Sequence, residues 1–266
     1  MSKDASMAND YHINFSMQEL NKILSLVDKI DASKLVDREK IKVLINSNQY
    51  IEFISKVVDV QQRHVVRYLR ELMLEKIFWD SIEKPLQNIS ELSAAGDLRF
   101  NSITLYLLVR ALAPDVVIET GVAHGKSSAY QLAGLHANGK GKLISFDLPA
   151  SGNVALDGSN TDLAGYEIGH FVPPYLRHLW ELNIVDSLIG IEKISSVKNK
   201  RVLFFHDSLH TYDHAKYEIQ LIRDRVSLIG IIMDNYDMDC GLALQEISDD
   251  AQKEIYICKD MGILLF

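Results

Sequence analysis

From residue 96 to residue 266, short runs rich in β-branched and aromatic residues alternate with stretches of helical periodicity. The runs are Val116-Val117-Ile118, Leu143-Ile144-Ser145-Phe146, Glu181 to Val185, Val202 to Phe205 and Ile229 to Met233. Strands that alternate with helices build βαβ units, and so an α/β domain with a doubly wound, mostly parallel sheet. The last two runs, Glu254 to Cys258 and Ile263 to Phe266, flank Asp260-Met261-Gly262 and read as a C-terminal antiparallel hairpin. Sheets of this kind bind ligands beyond the carboxyl ends of their strands. The loops after the strands are therefore where function is expected.

Residues 1–95 have another texture. They contain no glycine and a single proline, Pro85. Ser16-Met17-Gln18-Glu19 has capping-box spacing, with Phe15 and Leu20 at the staple positions. Leu20, Ile23, Leu24, Val27 and Ile30 then follow a helical period. A short helix is expected after Asp37, and helical spacing returns from Gln49 to about Ser81. These features predict an N-terminal helical cap over 1–95, able to join copies into a homo-oligomer, ahead of a ligand-binding domain over 96–266.

Charge narrows the partners. The chain carries 28 basic and 36 acidic side chains, a net −8. Residues 1–95 hold 13 and 14 of these, and residues 96–266 hold 15 and 22, so the excess lies in the α/β part. An acidic body repels phosphate backbones, so no nucleic-acid partner is expected, and a cationic ligand or a divalent metal is favoured. No basic run, no apolar stretch near ~20 residues and no signal peptide are present, which predicts a cytoplasmic protein with no membrane partner. Two cysteines, Cys240 and Cys258, read as buried reduced thiols.

The segment from Val116 to Ser128 runs strand, glycine loop, helix start. Between Gly121 and Gly125 it is one residue short of a P-loop. Against the dinucleotide fingerprint it fails twice, at Glu119 and His124. The pattern E-x-G-x-x-x-G fits without a gap on Glu119, Gly121 and Gly125. In this it resembles the first motif of the class I S-adenosylmethionine-dependent methyltransferases, which implies a Rossmann-like fold. The resemblance lets Gly121 and Gly125 bring backbone close to S-adenosylmethionine and gives Glu119 an electrostatic contact with that cation. It leaves Ser127 and Ser128 to hydrogen-bond the ligand or cap the helix. Asp147, 22 residues after Gly125, becomes the ribose-binding acid. Asp186 is placed near the adenine, although Val185 stands where glycine often precedes that acid.

The stretch Leu203 to His214 ends a buried strand in a dense cluster of Asp and His. Asp207, His210, Thr211 and Tyr212 fit the D-x-x-H-[ST]-Y signature of a family that includes sugar and macrolide O-methyltransferases of natural-product pathways. Phe171 to Arg177 resembles the same family, and the likeness spans roughly Leu92 to Gly241. Asp207, Asp234 and Asn235 at neighbouring strand ends form an oxygen-rich site suited to Mg2+. Many relatives have two acids where this chain has Asp234-Asn235. His210 is the expected base, with Asp207 beside it, while His206 and His214 are less suited. Asp237 to Gly241 lacks the ligand pattern of a calcium loop.

The expected reaction is methyl transfer from S-adenosylmethionine to a hydroxyl of a small-molecule acceptor, a sugar or secondary metabolite. An enzyme using the same cofactor without moving a methyl group, a non-catalytic partner subunit and a metal-free methyltransferase stay open. From Ala150 to Gly169, where Gly, Asn, Asp and Ser dominate, no motif is readable.

Overall fold

The structure is a computed structural model that describes residues 37–87, 101–150, 155–158, 163, 165–194 and 197–266. The capping box at Ser16 to Glu19, the helix expected after it and the 95/96 boundary lie outside these residues.

The N-terminal part is a set of short helices: α1 (Asp37–Ile45), α2 (Asn48–Val57), α3 (Gln62–Leu74) and α4 (Lys76–Gln87). The long helical period after Gln49 is thus three helices. Asp59 breaks the first interval in the left-handed region (φ 49°), and Glu75 breaks the second. Ser47 caps α2 by accepting from Tyr50 N. Tyr50, Ile51, Phe53, Ile54 and Val57 of α2 and Val65, Tyr68, Leu69 and Leu72 of α3 form the buried faces.

The α/β unit starts with α5 (Asn101–Leu112) and continues through β1 (Val116–Thr120), α6 (Lys126–Asn138) and β2 (Lys142–Asp147). A 3-10 turn (Pro174–Leu179), β3 (Trp180–Ile184), α7 (Ser187–Glu192), β4 (Arg201–His206), α8 (Tyr212–Arg223) and β5 (Ser227–Met233) follow. The chain closes with α9 (Cys240–Ala251), β6 (Ile255–Cys258) and β7 (Met261–Leu265). The sheet order is β3-β2-β1-β4-β5-β7-β6. The first five strands are parallel, and β7 is inserted antiparallel between β5 and β6. This is the expected Rossmann-like sheet with its antiparallel hairpin.

The hairpin turns earlier than its composition suggests. Lys259 takes the left-handed conformation (φ 63°), and Gly262 lies within β7. A Cβ on Gly262 would stand 2.5 Å from the Tyr236 ring. Glycine is needed there for close packing, not for turning.

Alternation along the strands divides the core in two. Val117, Leu143, Leu203, Phe205 and Ile232 face α5, α6 and the N-terminal helices, while Val116, Ile118, Ile144, Val202, Phe204 and Met233 face α8 and α9. Side chains from Ile41 to Ile82 belong to the first of these cores. Phe78 and Trp79 meet Tyr130 of α6 edge to face, with the Phe78 and Tyr130 centroids 5.1 Å apart. The Tyr50 and Thr104 hydroxyls are 2.8 Å apart. Helices α1 to α4 are therefore packed into the sheet's own core. No described helix is long and apolar enough to cross a membrane.

From β1 the strand order runs to β2 and β3 on one side and to β4 and β5 on the other. A crevice opens where the order reverses, beyond the carboxyl ends of β1 and β4. That is where the glycine loop and the Asp/His cluster meet.

Candidate active site

Gly121 and Gly125 both have positive φ, 80° and 82°. A Cβ on Gly121 would lie 1.9 Å from the Asp207 carbonyl oxygen, and one on Gly125 would lie 2.6 Å from Gly169 Cα. The close approach each glycine permits here is to the protein's own backbone. Asp147 borders the loop: its Oδ2 accepts from Val122 N (3.0 Å) and Ala123 N (2.8 Å), and its Oδ1 from Leu148 N (2.8 Å). Burial pushes its pKa up against these three N–H groups.

Glu119 is fully buried. Its Oε1 accepts from Ser127 (2.9 Å) and Gln131 (2.7 Å), and its Oε2 from Ser128 (2.6 Å) and Ser145 (2.7 Å). Burial raises its pKa while the four donors pull it down. Ser127 and Ser128 are thus turned to Glu119, and α6 begins at Gly125 with no side-chain cap. Register explains Ser145, which sits directly beside Glu119 on β2. Gln131 is one helical turn beyond Ser127 and Ser128. Asp186 caps α7, accepting from Leu188 N (3.0 Å) and Ile189 N (3.3 Å).

At the ends of β4 and β5 the structure gathers Asp207, His210 and Asp234, whose ligand atoms all lie within 4.8 Å of one another. Main-chain bonds hold the two acids in place, Asp207 N to Thr120 O (2.9 Å) and Asp234 N to His206 O (3.0 Å). His210 Nε2 is 3.6 Å from Asp207 Oδ1. Burial raises the Asp207 pKa over the pull of His210, and Glu119 and Asp147 push the same way. Burial works against charging His210, but Asp207, Asp234 and Asp157 prevail and raise its pKa. The two carboxylates converging in this way fit a divalent cation, with the imidazole beside them. Asn235 follows in a left-handed turn (φ 50°), its carbonyl accepting from Met238 N and Cys240 Sγ.

Further residues to which no motif pointed complete the site. Asp157 Oδ2 accepts from His210 N (2.9 Å) and faces His210 Nδ1 at 3.1 Å. Asn101 Nδ2 donates to Asp234 Oδ1 and to Asp260 Oδ1, both at 2.9 Å. Glu218 is fully buried beneath the cluster and meets Thr120, His206, Ser208 and His214. Burial opposes its charge, yet the two histidines hold its pKa well below the usual carboxylate range. His206 and His214 are thereby committed to Glu218. Beside the glycine loop His124 and His170 face each other, Nδ1 to Nδ1 at 3.3 Å, with Tyr166 stacked on His170 at 4.4 Å.

Residues 118–235 match the family described as "Methyltransferase domain". No curated protein matches the chain. Among solved structures, the O-methyltransferase from Bacillus cereus in complex with SAH is similar at TM-score 0.50 and 13% identity, over 76% of this chain and 97% of that one. It shares the fold. The SAH-bound Podospora anserina methyltransferase PaMTH1 gives TM-score 0.49 at 12% identity, covering 73% of this chain and 88% of its own. The calicheamicin methyltransferase CalS11 gives 0.47 at 13% identity, covering 99% of both chains. The matched span includes every residue proposed from sequence, from Glu119 to Asn235, and also Asp157 and Glu218. Asn101 and Asp260 lie outside it.

Proposed function

We propose that the protein transfers a methyl group from S-adenosylmethionine to a hydroxyl of a small molecule, a sugar or a secondary metabolite, with Mg2+ beside the acceptor. The observation that carries this reading is the convergence of Asp207, His210 and Asp234 within 4.8 Å next to the loop that bears Gly121.

Asp147, at the end of β2, is the acid offered to the ribose, and Asp186 borders the adenine side. Methyl transfer is an in-line displacement, so rigid placement of both partners lowers the barrier. Asp207 and Asp234, with Asn235, would hold the cation, which supplies a lower pKa for the acceptor hydroxyl and a fixed orientation. A hard cation takes oxygen ligands first, which leaves His210 Nε2 for the proton. The acceptor O–H proton moves to Nε2, the oxygen bonds to the methyl carbon as its bond to sulfur breaks, and S-adenosylhomocysteine leaves.

Calorimetry with S-adenosylmethionine tests the reading, followed by mass spectrometry of the products with sugar and phenol acceptors. Binding that Asp147→Ala abolishes, and S-adenosylhomocysteine among the products, are expected. No binding at millimolar ligand removes the reading. Binding without S-adenosylhomocysteine shifts it to an enzyme that uses the same nucleoside otherwise.

The N-terminal helices also suit a second copy of this chain. Arg63, Arg67, Arg70 and Glu71 lie along α3 and Glu75 follows it, so an antiparallel copy sets arginines against glutamates, beside exposed Leu74 and Ile77. Light scattering on Leu74→Glu tests this: a dimer that becomes a monomer is expected, and an unchanged mass rejects it.

A further inference from the structure

His210 is 7% exposed and is held from one side by a single oxygen. Asp157 Oδ2 lies 2.9 Å from the His210 main-chain nitrogen and 3.1 Å from the ring Nδ1. The Asp157 side chain is itself 2% exposed. It belongs to a short turn at 155–158, closed by Gly158 N donating to Ala155 O at 2.9 Å.

An ionised carboxylate only accepts, so the hydrogen in the shorter ring contact belongs to Nδ1. In the neutral ring Nε2 then carries the lone pair. Among the described residues the buried Nε2 has no hydrogen-bond partner, and it sits 3.6 Å from Asp207 Oδ1, inside the cluster with Asp234. The main-chain bond to the same Oδ2 fixes where the carboxylate stands relative to the ring. Ring rotation and tautomer are therefore set together.

We propose that Asp157 is a positioning residue that holds His210 in the Nδ1–H tautomer and aims the Nε2 lone pair at the acceptor hydroxyl. This deepens the function proposed above and rests on it for the use of the lone pair. When the acceptor proton reaches Nε2, both ring nitrogens carry hydrogen and the ring is cationic. The Asp157 carboxyl faces that new charge at hydrogen-bond distance, while the electron pair left on the acceptor oxygen forms the bond to the methyl carbon. The arrangement follows the general pattern of a base oriented by a third group. It also places an anchor for the base on the segment after β2, so the polar stretch from Ala150 to Gly169 contributes a side chain to the site.

The test is long-range 1H–15N correlation of the full-length protein labelled on histidine, at alkaline pH where the ring is neutral, with His210 assigned from its loss in His210→Gln. The wild type is expected to show a protonated Nδ1 and an unprotonated Nε2. In Asp157→Ala the Nε2 resonance is expected to move to the protonated range, because an unconstrained imidazole favours hydrogen there. Asp157→Asn, which keeps the size of the side chain, serves as the folded control and is expected to show a mixture. Protonated Nε2 in the wild type, or an unchanged Nδ1–H signal in Asp157→Ala, overturns the proposal. The spectra need neither S-adenosylmethionine nor an acceptor, so they fail independently of the binding and product assays.

Discussion

Asn101 and Asp234 are 133 residues apart in the chain and 2.9 Å apart in the fold. The second hydrogen of the same amide goes to Asp260 on the closing hairpin, also at 2.9 Å. One side chain at the start of α5 therefore spaces two carboxylates and fixes the one that joins the Asp207 cluster.

Removing that amide should loosen Asp234. Partners that orient a ligating carboxylate typically contribute about 10–100-fold in affinity or activity. Asn101→Ala is expected to weaken Mg2+ binding by about 10-fold or more in a calorimetric titration. Equal affinity in variant and wild type would show that Asn101 has no positioning role.

Gly121→Ala should be among the most damaging single changes. It forces a side chain onto a φ of 80° and drives a Cβ to 1.9 Å from the Asp207 carbonyl. Backbone strain and overpacking together are expected to cost about 3 kcal/mol, read from the midpoint of urea unfolding. A loss well under about 1 kcal/mol would mean that the two loops separate easily.

Glu119→Ala leaves Ser127, Ser128, Gln131 and Ser145 facing a hole. Unsatisfied buried donors cost about 1–3 kcal/mol each before relaxation. A destabilisation of about 3 kcal/mol or more is expected by chemical denaturation. A near-neutral result would require water to enter beneath the glycine loop.

Acid should unfasten the His124 and His170 pair. Burial lowers both pKa values, helped by their mutual repulsion at His124 and by Arg177 at His170. Below about pH 6.5 the unfolded chain takes up protons that the folded pair resists. Their contribution is complete above that pH and is lost as pH falls through the depressed folded values. Ring-proton NMR is expected to show both midpoints below about 6.5. Midpoints above it reverse the sign of the effect.

The N-terminal helices should not be separable from the rest. Their buried side chains, from Ile41 to Ile82, share one core with Val117, Leu203 and Ile232. Deleting residues 1–90 exposes that core, and the product is expected to aggregate or to lose cooperative unfolding in a thermal scan. A soluble truncation with an unchanged melting curve would contradict the shared core.

Much of this was legible in the residues themselves. Continuous apolar runs at Val116 to Ile118 and Val202 to Phe205 made the strands visible, and acids at strand ends marked the crevice. The hidden parts are those where distance in sequence disguises contact. Asp157 sits among Gly, Asn and Ser with no periodic neighbour to place it. Asn101 and Asp260 meet Asp234 only once the hairpin has folded back and set β7 against β5. Glu218, by contrast, was within reach, because it lies one helical turn after His214, the spacing at which side chains meet on a helix. Glu119 adds what the motif alone does not show: the strand-end carboxylate is fully buried and accepts from Ser127, Ser128, Gln131 and Ser145.

The missing side chain of Gly121 has a mechanical result. With nothing between them, the bend after β1 and the bend after β4 rest against each other like two leaves of a closed book. A load on the glycine loop therefore passes directly to the backbone that carries the Asp207 carboxylate.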